Sequence, residues 1–298
     1  MSSQISQSEI HPQIQSQLQP HEIKISENFI LNARKKLGSG AFGEIYYGKH
    51  ISEDKEVAIK LEEINTKHPQ IFYESKIYTT LKGGIGIPNI YWCGTLGKYN
   101  ILIIDYLGKS LETLFNDCYH KFSLKTTIML IEQMLSRIEY IHSKNFIHRD
   151  LKPENIMLDN QGKIHLLDFS IAKVITNAEF TLTRAKGTLN YLAPECLELS
   201  EISEDQQIIS KITSKVDVWA FGCIVSWLFS GYIPWSDKYK DLPPIIQQIL
   251  MKKLPFSIPK NIQDKNIIKI IEMSTEVDVN KRKSMKDIKD LMDSCGIK

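Results

Sequence analysis

The sequence predicts an α+β protein in two lobes: a small five-stranded antiparallel sheet carrying one helix, then a larger, mainly helical lobe. Three observations carry that reading. Short segments of strand character crowd residues 29–107, with one helical stretch among them. Beyond Gly108 the apolar spacing turns to the helical period, and the segment from Val216 to Phe229 is apolar on nearly every face, as a buried central helix is. At 298 residues the chain is long enough to pack two lobes around a sizeable core.

The elements follow in order. Residues 1–28 are rich in Ser and Gln and interrupted by Pro12 and Pro20, which predicts a disordered polar tail. Alternating segments at 29–37, 44–48 and 56–61 read as strands, 69–81 as a helix, and the stretches around Ile90 and Ile101 as two further strands; together they make a first lobe over 29–107. The second lobe, 108–293, opens into a long amphipathic helix at 124–143 and contains the apolar helix near 216–229. Shorter helical stretches at 244–252, 265–275 and 284–292 complete the lobe, and between Glu195 and Asp217 lies ELSEISEDQQIISKITSK, longer than a tight connection requires. Its polar, acidic character marks a surface insertion at about 198–212.

Bulk properties exclude several functions. Thirty-seven basic residues against 35 acidic leave a net charge of +2, too small a field for a dedicated nucleic-acid binder. The longest apolar run, Val218–Phe229, is too short to cross a bilayer, and the N-terminus is polar, so no membrane insertion is expected. Five scattered cysteines without a CxxC pair indicate a reducing compartment, the cytoplasm and by extension the nucleus. Nothing calls for more than a monomer.

The chemistry concentrates in His148-Arg149-Asp150-Leu151-Lys152-Pro153-Glu154-Asn155. A carboxylate at 150 can accept a hydroxyl proton, an ammonium at 152 can steady a departing phosphate, and an amide oxygen at 155 can hold a metal ion. His148 reads as a packing residue, and Arg149 as a partner for an anion on a phosphorylated loop. Asp168, after the apolar strand Ile164–Leu167, is a second oxygen ligand, in Asp168-Phe169-Ser170. Upstream, Leu37-Gly38-Ser39-Gly40-Ala41-Phe42-Gly43 falls between two predicted strands, where missing side chains let backbone N–H groups approach phosphates. Lys60 ends Val57-Ala58-Ile59-Lys60, and Glu74 sits on the sheet-facing side of the following helix. A buried glutamate needs a partner, so the two are expected to pair.

These motifs resemble the protein kinase fold. From YESKIY through GGIGIP, WCG, LGKSLETLF and RIEYIHSKNFIHRDLKPEN the chain is similar to the casein kinase 1 family. The resemblance implies a serine/threonine kinase that transfers the γ-phosphoryl of ATP, with Mg2+ as cofactor, to Ser or Thr hydroxyls of protein substrates, acidic or primed ones among them. It places Ile104 behind the nucleotide pocket, Asp105 and Leu107 as hinge backbone to adenine, and Ile45, Ala58 and Met157 around the ring. It makes 168–195 an activation segment, in which Thr188 contacts the catalytic aspartate, Thr181 and Thr183 are phosphosites, and Arg184 and Lys186 are surface charges. Glu195 and Arg282 should form a buried pair, and Asp217 should cap backbone N–H groups of the 148–155 loop. Ser170 stands where relatives carry glycine, which bears on flipping of Phe169. The second half departs from casein kinase 1, with Ala193-Pro194-Glu195 and DVWAFG in mainstream form, so peptide specificity is not carried over. A nucleotide-binding pseudokinase scaffold and a small-molecule or lipid kinase are the competing readings.

Overall fold

The computed structural model describes residues 21–40, 43–175, 180–182, 187–197, 210–233 and 256–297. They fall into two compact units, Met1–Gly83 with Ile87–Leu107, and Gly84–Gly86 with Gly108–Lys298.

The first unit is an antiparallel sheet of six strands: β1 (Glu22–Ser26), β2 (Phe29–Gly40), β3 (Gly43–His50), β4 (Lys55–Glu63), β5 (Ile90–Leu96) and β6 (Tyr99–Asp105), in the order β1-β2-β3-β4-β6-β5. One helix, α1 (Ile71–Leu81), links β4 to β5. Alternation sorts the strand residues. Val57 and Ile59 of β4 join Ile101 and Ile103 of β6 in an apolar cluster with Ile25, Phe29 and Leu31, while the intervening residues Ala58 and Lys60 point to the other face.

Six strands replace the expected five, and the sixth corrects the expectation of a disordered tail through residue 28. Glu22–Ser26 alternates, and a two-residue turn folds it back on β2, with Ile23 opposite Leu31 and Ser26 opposite Phe29. Ile25 thereby enters the sheet core, 7% exposed, and that burial is what a tail without apolar periodicity lacks.

Among the described residues the α-helices of the second unit are α2 (Leu111–Asp117), α3 (Leu124–Ser143), α4 (Pro194–Leu197), α5 (Lys215–Ser230), α6 (Lys265–Ser274) and α7 (Met285–Ser294). Ser123 caps α3 by accepting from the Thr126 N–H, and α3 buries Leu130, Ile131, Met134, Ile138 and Ile141 along one face. Helix α5 is buried nearly throughout and stops at Gly231, whose φ of 82° closes the last turn with an N–H donated to the Trp227 carbonyl. Four short two-residue and three-residue strands serve the loops: β7 (Phe146–Ile147) pairs with β10 (Lys173–Val174), and β8 (Ile156–Leu158) with β9 (Ile164–Leu166).

Strands β11 (Phe180–Leu182) and β12 (Ser210–Ile212) form a third antiparallel ribbon, and here the insertion expected at 198–212 is corrected at its end. Ile212 is fully buried against Ile147, Trp219 and Cys223. An isoleucine with a core to join overrides the polar character of its neighbours. The remainder of that insertion, the helix expected at 244–252, and Thr183, Arg184 and Lys186 lie outside the described residues.

Candidate active site

The first unit brings several predicted residues onto one sheet face. In the register, Ile45 lies opposite Lys60, and Ala58 opposite Ile104. Ala58 and Lys60 are two apart on β4, so Ile45, Ala58, Lys60 and Ile104 share a face. Lys60 Nζ donates to Glu74 Oε2 at 2.7 Å, and Glu74 is 2% exposed. The ion pair called for by the sequence is therefore present: burial makes either charge costly alone, and each supplies the other's partner.

Leu37 and Gly38 lie at the end of β2, with Gly38 opposite Ile45 and Gly40 opposite Gly43; Ala41 and Phe42 lie outside the described residues. Gly43 has a φ of 128°, and a Cβ there would collide with the Leu61 carbonyl. At Gly38 and Gly40, by contrast, a Cβ would meet no atom within 4 Å among the described residues. Packing therefore explains Gly43 but neither of the other two, which suits a backbone that must approach a ligand.

Asp105 ends β6 and Leu107 follows, 6% exposed. The Asp105 carboxylate accepts from the Asn89 N–H at 2.7 Å, from Asn89 Nδ2 at 2.9 Å and from the Tyr91 hydroxyl, with Lys55 Nζ at 3.1 Å. Burial alone would push this carboxyl up; the hydrogen bonds from Tyr91 and Asn89 and the Lys55 charge hold it below its ordinary value. The strand end is thus fastened at 105.

The second unit assembles the loop 148–155. Asp150 Oδ1 accepts from the Thr188 N–H at 2.8 Å and its hydroxyl at 2.7 Å. Lys152 Nζ donates to Thr188 Oγ1 at 3.0 Å and lies 3.3 Å from Asp150 Oδ2. One hydroxyl can do both, since it has one hydrogen to give and lone pairs to accept. Asn155 Nδ2 donates to the Asp150 carbonyl at 2.8 Å and to Oδ2 at 3.2 Å, which commits the amide nitrogen and leaves the oxygen as the atom suited to a cation.

Asp168 reaches the same end of the unit through strand pairing. Ile156 and Leu166 are register partners, so Asn155 and Leu167 follow outward together, and the Leu167 N–H donates to the Asn155 carbonyl at 2.9 Å. His148 Nε2 meets the Leu167 carbonyl at 2.8 Å, and its ring packs on Phe169 with centroids 4.8 Å apart. Met157 lies on β8 opposite His165 and bridges to Ser110. An amide oxygen and a carboxylate are hard oxygen donors that fit Mg2+; Asn155 and Asp168 would hold it, and it would supply charge neutralisation for phosphate oxygens.

Strain marks the same place. Arg149 and Asp168 hold φ values of 73° and 61°, a region in which side chains other than glycine are uncommon. Ser170 is not among the described residues with positive φ, so serine fits the backbone there without strain; it is 2% exposed beside a fully buried Phe169.

One buried carboxylate underpins the loop, and a second buried ion pair fastens Glu195 to Arg282. Asp217 accepts from the His148 N–H and the Arg149 N–H, both at 2.8 Å, and meets His142 Nε2 at 2.9 Å. Burial opposes its charge, but the His142 hydrogen bond and those of the loop outweigh it and hold the carboxyl below the ordinary range. Arg282, fully buried, grips Glu195 with both terminal nitrogens, at 2.7 and 2.9 Å, and donates to the Glu276 and Lys215 carbonyls. Sequence reasoning passed over Glu62, also buried on β4. Its only signal was a position two residues beyond Lys60, on the same face.

The protein kinase domain family matches residues 31–292, and the chain belongs to it. The family is one of phosphotransfer kinases that use ATP and act on proteins. Strand β1 precedes the matched region.

Proposed function

We propose that the protein is a serine/threonine protein kinase, transferring the γ-phosphoryl of MgATP to Ser and Thr hydroxyls of protein substrates and resembling casein kinase 1 in its first half. The observation that carries the reading is the Asp150–Lys152–Thr188 network. Asp150 orients the incoming hydroxyl and takes its proton, while Lys152 sits within reach of the same carboxylate to offset charge on the transferred group. Asn155 and Asp168 hold Mg2+, and Lys60, fixed by Glu74, contacts the inner phosphates. The glycines 38, 40 and 43 cover the phosphates, and Ile45, Ala58, Ile104, Asp105, Leu107 and Met157 take the adenine.

A pseudokinase scaffold is the second reading. The presence of Lys60, Asp150, Asn155 and Asp168, with Asp150 and Lys152 in hydrogen-bonded order around Thr188, favours turnover over it. Thr188 and the Glu195–Arg282 platform are parts for holding a peptide, which disfavours a small-molecule or lipid kinase.

Incubation with labelled ATP, Mg2+ and a mixture of Ser-rich and acidic peptides tests the proposal. Label should appear on Ser or Thr; nucleotide binding without label would move the assignment to a scaffold.

A further inference from the structure

Helix α1 lacks its own N-terminal cap. Its N-cap residue, Gln70, has helical backbone angles and no capping side-chain hydrogen bond, so the first N–H groups need acceptors from elsewhere. Glu62 supplies them. Its Oε1 accepts from the Gln70 N–H at 2.7 Å, and Oε2 lies 3.5 Å from the Ile71 nitrogen, at the limit of a hydrogen bond. Oε2 also accepts from Asn100 Nδ2 at 3.3 Å, and Asn100, the register partner of Glu62 on β6, takes a hydrogen bond from Thr95 through its oxygen at 3.1 Å.

Glu62 is 2% exposed, so these contacts are made out of water, where a carboxylate at a helix N-terminus is favoured. The same Gln70 whose N–H it holds accepts the Glu74 N–H through its carbonyl at 2.9 Å. Strand β4 therefore grips α1 at two points one turn apart, Glu62 on the end of the helix and Lys60 on Glu74. One point fixes a distance; two points one turn apart also fix how the helix lies along the strand.

We propose that Glu62 is a positioning residue that keeps the Lys60–Glu74 pair closed by clamping the start of α1 to β4. The inference rests on the reading of Lys60 as the phosphate-contacting lysine.

Glu62→Gln tests it with little change of shape, because the new amide presents a donor to Asn100 Nδ2 or to the helix N–H groups, all of them donors themselves. Its kcat/KM for ATP should fall about tenfold. The exchange Glu62→Gln with Asn100→Asp restores one amide and one carboxylate across the strands, and should recover most of that loss, whereas Asn100→Asp alone sets two carboxylates together and should not. Hydrogen exchange on the unaltered chain adds a readout that needs no variant to fold: the Gln70 N–H should be protected like the interior of α1.

Activity of Glu62→Gln within twofold of the unaltered enzyme, an exchange variant that regains its melting temperature without its kcat/KM, or an unprotected Gln70 amide would each overturn the clamp. Lys60→Met separates this from the underlying reading. If that variant turns over normally, the site is misassigned; if it is inactive and Glu62→Gln is not impaired, the clamp alone fails.

Discussion

Two aspartates in the second unit, one in the loop 148–155 and one at the start of α5, show how the same side chain takes opposite roles. Asp217 is 1% exposed, and its oxygens are committed to two backbone N–H groups and an imidazole. Asp150 keeps 13% of its side chain exposed, and beside one backbone N–H, that of Thr188, its partners are side chains: the Thr188 hydroxyl, the Lys152 ammonium and the Asn155 amide. A fully buried carboxylate held by backbone N–H groups and an imidazole holds shape; one that keeps some solvent access, with an ammonium and a hydroxyl beside it, can exchange a proton. The difference teaches that exposure and partner type, rather than residue type, separate scaffold from chemistry here.

The largest expected effects fall on the reactive side of that comparison. Asp150→Asn should lower turnover by about a thousandfold or more, since it removes the proton acceptor while keeping the size of the side chain. Lys60→Met should cost turnover on a similar scale, about a thousandfold, with the fold intact; buried Glu74 then loses the ammonium that offsets its charge, so a modest loss of melting temperature accompanies it. Calorimetry alongside steady-state kinetics checks both.

On the scaffold side the expected order reverses. Asp217→Asn should destabilise by about 3 kcal/mol, because an amide cannot accept from two N–H groups and a histidine at once, and at this size that lowers the melting temperature by about 6–12 °C. A pH series sharpens the point. The folded carboxyl lies below its ordinary value of 3.8, so its contribution is present above that value and is lost as pH falls through the lower folded one. Melting temperature followed through the acid range should fall in the unaltered protein, and Asp217→Asn should lack that part of the fall.

The smallest effect belongs to Thr188, which links Lys152 to Asp150. Thr188→Ala removes the hydroxyl between Lys152 and Asp150 but leaves its N–H on Asp150 Oδ1, so kcat should drop about tenfold with the melting temperature unchanged. A change in stability without one in kcat would return Thr188 to a structural role.

Much of this was legible in the sequence because the relevant residues lie in short local motifs. Loop 148–155 places its donors within eight positions, and alternation around Lys60 marks the strand face that carries it. A long-range pair was readable where charge demanded a partner, as with Lys60 and Glu74, and Glu195 with Arg282 followed from the resemblance. What escaped depends on tertiary context. Strand β1 is too short to announce itself until β2 lies beside it, and Ile212 looks like part of a polar insertion until the core that receives it is built. Glu62 was invisible for another reason: a cap supplied by a strand leaves no mark in the helix it caps, where Gln70 stands in place of a usual capping residue. The positive φ values at Arg149 and Asp168 likewise have no signature in residue type.

Turnover and melting temperature measured on the same preparations of Asp150→Asn and Asp217→Asn test the central claim most directly. The account predicts that Asp150→Asn loses labelling of Ser and Thr while melting like the unaltered protein, and that Asp217→Asn melts lower. An Asp150→Asn protein that labels peptides as well as the unaltered enzyme would contradict it.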